Sequence, residues 1–520
     1  MNKPNPLIIF VAVLASLLEI IDTSIVNVAL TTMMGNLGAT LEDISMVITG
    51  YAIANAIVLP ISGWFSERIG RRKYFLGCIT AFTLTSVACG LAPNLTTLIV
   101  FRILQGLFGG ALLPTSQTLI YEQFPKEKAG IAGAIFGMSV MVGPTLGPVM
   151  GGYLTDNFGW RSIFNINLPL GILALVVGMS VIFDRAPQAG EAAAEKPKLD
   201  WTGFALLVLG IGCLQFVLER GEADDWFSSK VILLNTIIAT VCIPAFIWWE
   251  LKVKNPIINM RMFKNPLVQN GVMLMGCLGF FLYAVVFILP VFVGRVFHYD
   301  ATQTGALFIP GSLLTALMMP FIGRMMMKGV NPKYLIAIGF LSLEVCLWMM
   351  SGLAPQSSKA EVLNLLYVRG FGMAFLFVPI NSSILSQFKG PDLGQVSGLL
   401  NLFRQIGGSI GVAMVGTILT KHNYQNYADI SNKVSLLNPA VQAQYYNTVN
   451  GMNSKMSDGV GFYHGTEAAI KSIWGRVQNQ VFMMSFLQLC FILMFIVAIG
   501  FIPLWRIRLK EGPTKVVDAH

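Results

Sequence analysis

Apolar runs of about 20 residues recur along almost the whole chain, and short polar segments separate them. A helix of that length crosses the hydrocarbon core of a lipid bilayer, so each run predicts one transmembrane helix. The pattern therefore predicts an all-α polytopic membrane protein. Fourteen transmembrane helices are predicted, at residues 7–31, 44–64, 74–92, 96–119, 130–152, 164–183, 202–218, 231–250, 267–293, 303–323, 334–352, 361–386, 396–420 and 480–504.

Composition agrees with this pattern, because 55% of the residues are hydrophobic and only 12% are charged. A soluble chain is about 25% charged. The first run continues past Asp22 and is too long for a signal peptide. The net charge of +9 comes from basic residues in short loops, so we predict a lipid bilayer rather than nucleic acid as the partner. The cysteines all lie in apolar runs and form no CxxC pair, so no disulfide or zinc site is predicted.

The distribution of basic residues predicts the orientation in the membrane. Alternate short loops and the two termini carry 22 Lys and Arg residues, whereas the other short loops carry 5. Basic residues accumulate on the cytoplasmic side, and long loops such as 421–479 do not count toward this rule. Both termini are therefore predicted to be cytoplasmic, in a multi-pass protein of the bacterial inner membrane.

Part of the sequence is repeated, at an offset of 260 between helices 2–3 and 10–11 and of 265 between helices 5 and 13. The repeat predicts two six-helix halves, 1–183 and 267–520, that flank an inserted helix pair in 184–266. Parallel halves of this kind are a transporter architecture with a site at midplane. The matched residues are Pro60, Gly63, Arg68, Lys73 and Tyr74 with Pro320, Gly323, Lys328, Lys333 and Tyr334, and Gly133, Gly143, Gly151 and Leu154 with Gly398, Gly408, Gly416 and Leu419.

Few ionisable residues lie well inside the predicted helices, and such charges usually mark ion pathways or relays. Asp22 and Arg102 are predicted at similar depths, roughly 20 Å above the cytoplasmic face at 1.5 Å per residue, so they could pair. Glu19, Thr23 and Asn27 are spaced by four and form one polar stripe, which should line a central cavity. The full set of membrane charges is Glu19, Asp22, Arg102, Glu344, Arg369 and Arg404.

Two interpretations of these charges stay open. The Asp22–Arg102 pair could be a buried salt bridge that only orders the helix bundle. Glu19 and Glu344 have no obvious basic partner, and an unpaired buried carboxylate can exchange protons near neutral pH. We therefore predict that Glu19, Asp22 and Glu344 include the proton-coupling carboxylates. An anionic substrate would favour Arg369 or Arg404 in the cavity, whereas a cation would favour Glu19 and Glu344.

Four segments carry a family resemblance. The 2–3 loop contains Gly63, Glu67, Arg68, Gly70, Arg71 and Arg72 in the pattern G-x-x-x-E-R-x-G-R-R. Helix 4 contains Arg102, Gln105 and Gly106, and helix 5 contains Gly143, Gly147, Pro148, Gly151 and Gly152. Helix 1 contains Ile21 to Leu30, with the segment Ile25-Val-Asn-Val-Ala-Leu30. Nearly the whole chain resembles the major facilitator superfamily, most of all its fourteen-helix drug:proton antiporters of the EmrB/QacA type.

The resemblance implies the major facilitator fold and assigns roles to these residues. The 2–3 loop is expected to form a cytoplasmic latch between the halves. Arg102 is implicated in proton transfer, with Gln105 in the substrate cavity. The helix 5 pattern is the motif that marks exporters. The stretch after helix 7, from Leu218 to Ser229, is similar to the EmrB side of the family.

The predicted function is proton-coupled multidrug efflux of lipophilic compounds, cationic or amphipathic, by alternating access, which would confer drug resistance. No cofactor is expected, because the proton gradient drives transport and no P-loop is present. Loop 421–479 contains two helix-start signals, Asn438-Pro439 and Thr466-Glu467. It could dock a periplasmic membrane-fusion adaptor that leads to an outer-membrane channel, or could act as a gate. One alternative is a dedicated exporter of an endogenous fatty acid, siderophore or lipid. Another is a membrane sensor or scaffold without flux; an enzyme has no support.

Overall fold

The computed structural model describes residues 4–183, 200–435, 438–453 and 461–506. Within these ranges the chain is helical without a β-strand, and it contains fourteen helices long and apolar enough to cross a membrane. The predicted number and order of transmembrane helices are thereby confirmed. They are α1 Pro6–Leu37, α2 Glu42–Ile69, α3 Arg71–Gly90, α4 Leu95–Glu122, α5 Lys126–Phe158, α6 Ser162–Val181, α7 Trp201–Arg220, α8 Lys230–Lys252, α9 Pro266–Val296, α10 Thr302–Met327, α11 Pro332–Ser351, α12 Lys359–Leu385, α13 Pro391–Ser431 and α14 Ala469–Arg506.

Asn-Pro pairs begin three of these helices, α1, α9 and α11. In each, the Asn side chain accepts a hydrogen bond from the second backbone N–H of the helix, as Asn5 does from Leu7. The following proline has no N–H to leave unsatisfied at this position. All three starts lie on the same side of the membrane as the 2–3 loop. We call this side of the bundle the basic end, because it carries Arg71 and Arg72.

The two six-helix halves, α1–α6 and α9–α14, meet through repeated glycine contacts at the basic end. A Cβ atom built on Gly63 of α2 would lie 2.8 Å from the backbone of Gly394 in α13. A Cβ atom built on Gly130 of α5 would lie 2.7 Å from the carbonyl oxygen of Gly323 in α10. Glycine thus brings α2 against α13 and α5 against α10 at equivalent positions, as expected for halves related by an axis along the membrane normal.

The inserted helix α7 packs between the halves, against α2 and α13. The Arg220 guanidinium donates a hydrogen bond of 2.6 Å to the Ser45 hydroxyl of α2. The Gln215 amide donates one of 2.6 Å to the Ser409 hydroxyl of α13. The helix pair therefore bonds to both halves. Its predicted boundaries remain a prediction, because 184–199 lie outside the described residues.

The long loop predicted at 421–479 is largely helical where the structure describes it. Helix α13 continues to Ser431, and a separate helix spans Pro439–Asn453. At the start of that helix, the Asn438 side-chain oxygen accepts a hydrogen bond of 3.0 Å from the Ala440 backbone N–H. The Asn-Pro start signal is thus confirmed. A further helix begins at Gly461, before the predicted start at Thr466, and runs into α14. The outer segment therefore contains helices, and its predicted extent remains a prediction.

Candidate functional site

A buried polar network surrounds Asp22 inside the first half. The Asp22 carboxylate accepts hydrogen bonds from Arg102 at 2.6 Å, from Gln105 at 2.8 Å and from Asn167 at 2.9 Å. Arg102 also donates to the Gln105 side-chain oxygen at 2.9 Å. These four side chains are each at most 1% exposed. The predicted Asp22–Arg102 pair therefore exists, and the charge of Asp22 is fully compensated.

Neighbouring helices complete this network. The Arg102 guanidinium lies 4.1 Å from the centroid of the Tyr51 ring of α2, a distance typical of a cation–π contact, and its Nε donates to the Val47 carbonyl at 3.3 Å. Asn167 of α6 also donates to the Ser86 hydroxyl of α3 at 2.9 Å. The network thus ties together five helices of the first half. Gln105 belongs to it and does not line an open cavity as predicted.

Glu19 lies one helical turn from Asp22 but in a different environment, at the boundary between the halves. It is 4% exposed, and its Oε1 accepts a hydrogen bond of 2.9 Å from the Asn55 amide of α2. Its Oε2 is buried without a hydrogen-bond partner in the described part of the chain. Arg404 of α13, in the other half, acts electrostatically on this carboxylate. Beside it, Gln405 donates to an α2 carbonyl at 3.0 Å.

The polar stripe on α1 opens progressively away from the basic end. Glu19 is buried, Thr23 is half-buried and Asn27 is exposed. The Thr23 hydroxyl and the Asn27 amide bond only to backbone carbonyls of their own helix, at 2.8 and 3.4 Å. Helix α1 packs against helices of its own half. Exposure along the stripe therefore increases from Glu19 to Asn27.

Two arginines of the second half are buried with an unsatisfied side-chain nitrogen. The Nε atoms of Arg369 and Arg404 are buried without a hydrogen-bond acceptor among the described residues. Arg369 is 9% exposed and lies 5.5 Å from the Phe308 ring centroid of α10. Glu344 is half-buried on α11, which packs against α12 and α14 within the second half. The structure does not bring Glu344 to Asp22 or Glu19.

The motif predicted as a latch packs against the other half at Gly63 and also makes several contacts within the first half. Gly63 packs against Gly394, as described above. Gly70 has a φ of 97°, which only glycine adopts readily, and so separates α2 from α3. Glu67 lies close enough to Asp392 of α13 for the two like charges to interact.

The arginines of this motif contact residues of their own half. Arg71 forms an ion pair with Glu122 of α4. Arg72 donates to a backbone carbonyl of α6 at 2.8 Å, and the Arg68 guanidinium lies 5.2 Å from the Trp64 ring centroid. These contacts hold the 2–3 loop to α4 and α6. Gly63 supplies a contact of this motif with the other half, and the latch role of the motif remains a prediction.

The exporter motif of α5 presents two faces. Gly143, Gly147 and Gly151 face α1, where a Cβ atom on Gly151 would lie 2.9 Å from a backbone carbonyl oxygen. Pro148 and Gly152 face α10 of the other half, where a Cβ atom on Gly152 would lie 3.1 Å from a threonine hydroxyl. The motif therefore brings α5 close to α1 on one side and to the opposite half on the other.

Sequence reasoning missed several polar residues at these sites. On α2, the Tyr51 ring contacts Arg102, the partner of Asp22, and the Asn55 amide donates a hydrogen bond to Glu19. Glu219 lies just beyond the predicted end of helix 7, where its carboxylate accepts a 2.9 Å bond from Ser409. Gln117 of α4 bonds across the two halves. Their common signal is a polar residue inside or at the end of an apolar run.

The sequence pattern of the Major Facilitator Superfamily matches residues 12–412. The chain belongs to the Major Facilitator Superfamily. Among its relatives, "Multidrug export protein EmrB" of Escherichia coli (strain K12) is 35% identical over 433 residues, which cover 83% of each chain. "Fatty acid resistance protein FarB" of Neisseria gonorrhoeae is 35% identical over 406 residues, 78% of this chain and 79% of that protein. The superfamily assignment confirms the predicted family and a multi-pass membrane transporter.

A solved superfamily structure agrees at the level of the fold. The human organic anion transporter MFSD10 (TETRAN) superposes with a TM-score of 0.55 at 15% identity, over 80% of this chain and 94% of that one. At this identity the likeness concerns the fold alone. It confirms the predicted major facilitator fold for the two six-helix halves.

Proposed function

We propose that this superfamily member is a proton-coupled multidrug antiporter that exports lipophilic compounds by alternating access. The observation that carries the proposal is Glu19, a buried carboxylate between the halves with one unbonded oxygen in the described structure. The 35% identity to a multidrug export protein over 83% of the chain supports the direction and breadth of transport. The proton gradient is the proposed energy source, with no bound cofactor.

The hydrogen bonds of Glu19 and Asp22 suggest a different role for each carboxylate. Asp22 accepts three hydrogen bonds, one of them from Arg102, so protonation would break a complete network. Glu19 accepts one, and its second oxygen is free to take a proton. We propose that protons from outside reach Glu19 along the Thr23 and Asn27 stripe, and that their release inside resets the carrier. Asp22 and Arg102 hold α1 and α4 in place for this step.

The test is dye efflux, with ethidium as substrate, from proteoliposomes under an imposed pH gradient. Wild type is compared with Glu19→Gln and Glu344→Gln, because both variants neutralise a membrane carboxylate but only Glu19 lies between the halves. We expect gradient-driven flux in the wild type and with Glu344→Gln, and a loss of at least about a hundredfold with Glu19→Gln, the lower end of general acid–base effects. Equal flux in all three would refute Glu19 as the proton carrier.

A second candidate is export of one endogenous anionic lipid-like compound, such as a fatty acid. It is favoured by the two buried arginines, Arg369 and Arg404, whose Nε atoms have no hydrogen-bond acceptor among the described residues. The similarity to a fatty acid resistance protein points the same way. In the liposome assay, no flux of ethidium together with gradient-driven flux of a fluorescent fatty acid would favour this candidate. No flux of either from correctly inserted protein would favour a sensor or scaffold.

We further propose a bacterial inner-membrane location with the basic end in the cytoplasm. The outer end then carries an extension of α13 and α14. The 41 residues of α13 are about 60 Å long, twice the thickness of the hydrocarbon core. Exposed aromatic side chains at this end favour docking of a periplasmic membrane-fusion adaptor that leads to an outer-membrane channel: Tyr424 and Trp474 on the extensions and Tyr446 on the helix Pro439–Asn453.

A further inference from the structure

Gln117, near the cytoplasmic end of α4, joins the two halves through all of its side-chain polar atoms. Its amide donates a hydrogen bond of 2.7 Å to the Asn381 side chain of α12. Its side-chain oxygen accepts bonds from Ser397 at 2.6 Å and from Asn401 at 2.8 Å, both on α13. The four side chains are at most 1% exposed, so these bonds exclude water. We call them the Gln117 cluster.

The cluster lies where the internal repeat places equivalent residues face to face. Pro114 and Gln117 of α4 correspond to Pro379 and Ser382 of α12 at the offset of 265. Ser382 makes the matching contact, because its hydroxyl donates to the Ala129 carbonyl of α5 at 3.0 Å. Each half thus sends one buried polar side chain from an equivalent position onto the other half. The contacts that close this end of the bundle are therefore related by the axis between the two halves.

We infer that Gln117 is a positioning residue of the transport cycle, which holds the cytoplasmic side of the carrier closed. The inference rests on the alternating access proposed above, but not on any substrate or on proton coupling. For the cavity to open to the cytoplasm, α4 must separate from α12 and α13, so all three bonds must break. Water then replaces the lost partners, which makes the cluster reversible, whereas an apolar seal would expose hydrophobic surface on opening.

A cavity of about 910 Å³ lies below the cluster and shows where opening would occur. It is lined by both halves, with Lys126 at the start of α5 and Lys389 between α12 and α13. Both lysines are exposed. Their separation therefore reports whether the cytoplasmic side is closed.

The experiment measures this separation by double electron–electron resonance between spin labels attached at Lys126→Cys and Lys389→Cys. The protein is in detergent, without substrate or a pH gradient. The half-buried cysteines Cys213, Cys242 and Cys277 are first replaced by alanine. We expect Gln117→Ala to raise the ratio of open to closed distances by at least about tenfold, since three bonds of modest net strength are lost. Gln117→Glu keeps an acceptor for Ser397 and Asn401 and should fall between Gln117→Ala and the unmodified residue.

The adjacent Ser116 supplies the matched control. It is fully buried, but its hydroxyl has no hydrogen-bond partner in the described structure. Ser116→Ala should leave the distances unchanged. If Gln117→Ala fails to fold, Asn401→Ala removes one bond of the cluster and should shift the distances in the same direction. Unchanged distances in the Gln117 or Asn401 variants, or an equal shift in Ser116→Ala, would overturn the inference without affecting the proposed export activity.

Discussion

At the scale of single residues, Glu19 and Asp22 show how burial and bonding separate two carboxylates on one helix. Both are at most 4% exposed. Asp22 faces the interior of its own half, where Arg102 neutralises it. Glu19 faces the other half, where Arg404 acts on it without a salt bridge within 4 Å in the described structure. A permanent ion pair resists proton exchange, whereas a carboxylate with a free oxygen permits it.

This difference predicts that neutralising Asp22 lowers stability far more than neutralising Glu19. Asp22→Asn leaves the Arg102 guanidinium buried without a counter-charge, which costs about 3–5 kcal/mol for a buried pair. Glu19→Gln retains an acceptor for Asn55 and should change little. We expect a clearly lower melting temperature for Asp22→Asn in a thermal-shift assay in detergent. The double variant Asp22→Asn, Arg102→Gln removes both charges and should recover part of the loss; an equal loss in Glu19→Gln would contradict this account.

The sequence predicted some of these pairs and not others, for a physical reason. Asp22 and Arg102 belong to one half, and their depths along two helices predicted the contact that the structure contains. Asn55 and Arg404 approach Glu19 through packing between helices and halves, which depth alone does not specify. Glu344 is another membrane carboxylate, but its helix α11 packs against α12 and α14 within the second half. Depth thus limits possible partners, and the packing of helices selects among them.

At the scale of helices and loops, the hydrophobic pattern predicted every transmembrane helix but not the outer segment. Runs of about 20 apolar residues have one stable solution in a bilayer, because every backbone polar group must be bonded internally. Outside the bilayer this constraint disappears, so the extension of α13 to Ser431 left no hydrophobic signal. The helix Pro439–Asn453 was detectable only from its Asn-Pro start.

This outer helix supplies a test of adaptor docking. We expect that replacing residues 439–453 by a short Gly-Ser linker abolishes capture of the membrane-fusion adaptor but leaves ethidium flux in proteoliposomes within about twofold, because the helix packs on α14 beyond the membrane. Affinity capture from cell membranes and the liposome assay measure the two effects. Loss of flux with unchanged capture would instead identify the helix as a gate.

At the scale of the whole molecule, closure at one end and α7 at the other constrain the motion of the halves. The Gln117 cluster joins the halves near the basic end. Helix α7 bonds to α2 through Arg220 and to α13 through Gln215. If the halves rock as rigid bodies, one set of α7 bonds must exchange partners whenever the Gln117 cluster opens. The inserted pair would then move with one half rather than independently.

This account depends on which end of the bundle faces the cytoplasm, and the chain offers two positions that decide it. Lys389 is exposed at the basic end, and Tyr446 is 52% exposed on the opposite outer helix. We expect a membrane-impermeant maleimide to label Tyr446→Cys in cells whose outer membrane has been opened, and Lys389→Cys only after the inner membrane is permeabilised. The bias of 22 basic residues against 5 supports this orientation. The reverse labelling would place the Gln117 cluster at the outer gate, so that the same bonds would hold the carrier open to the cytoplasm instead of closed.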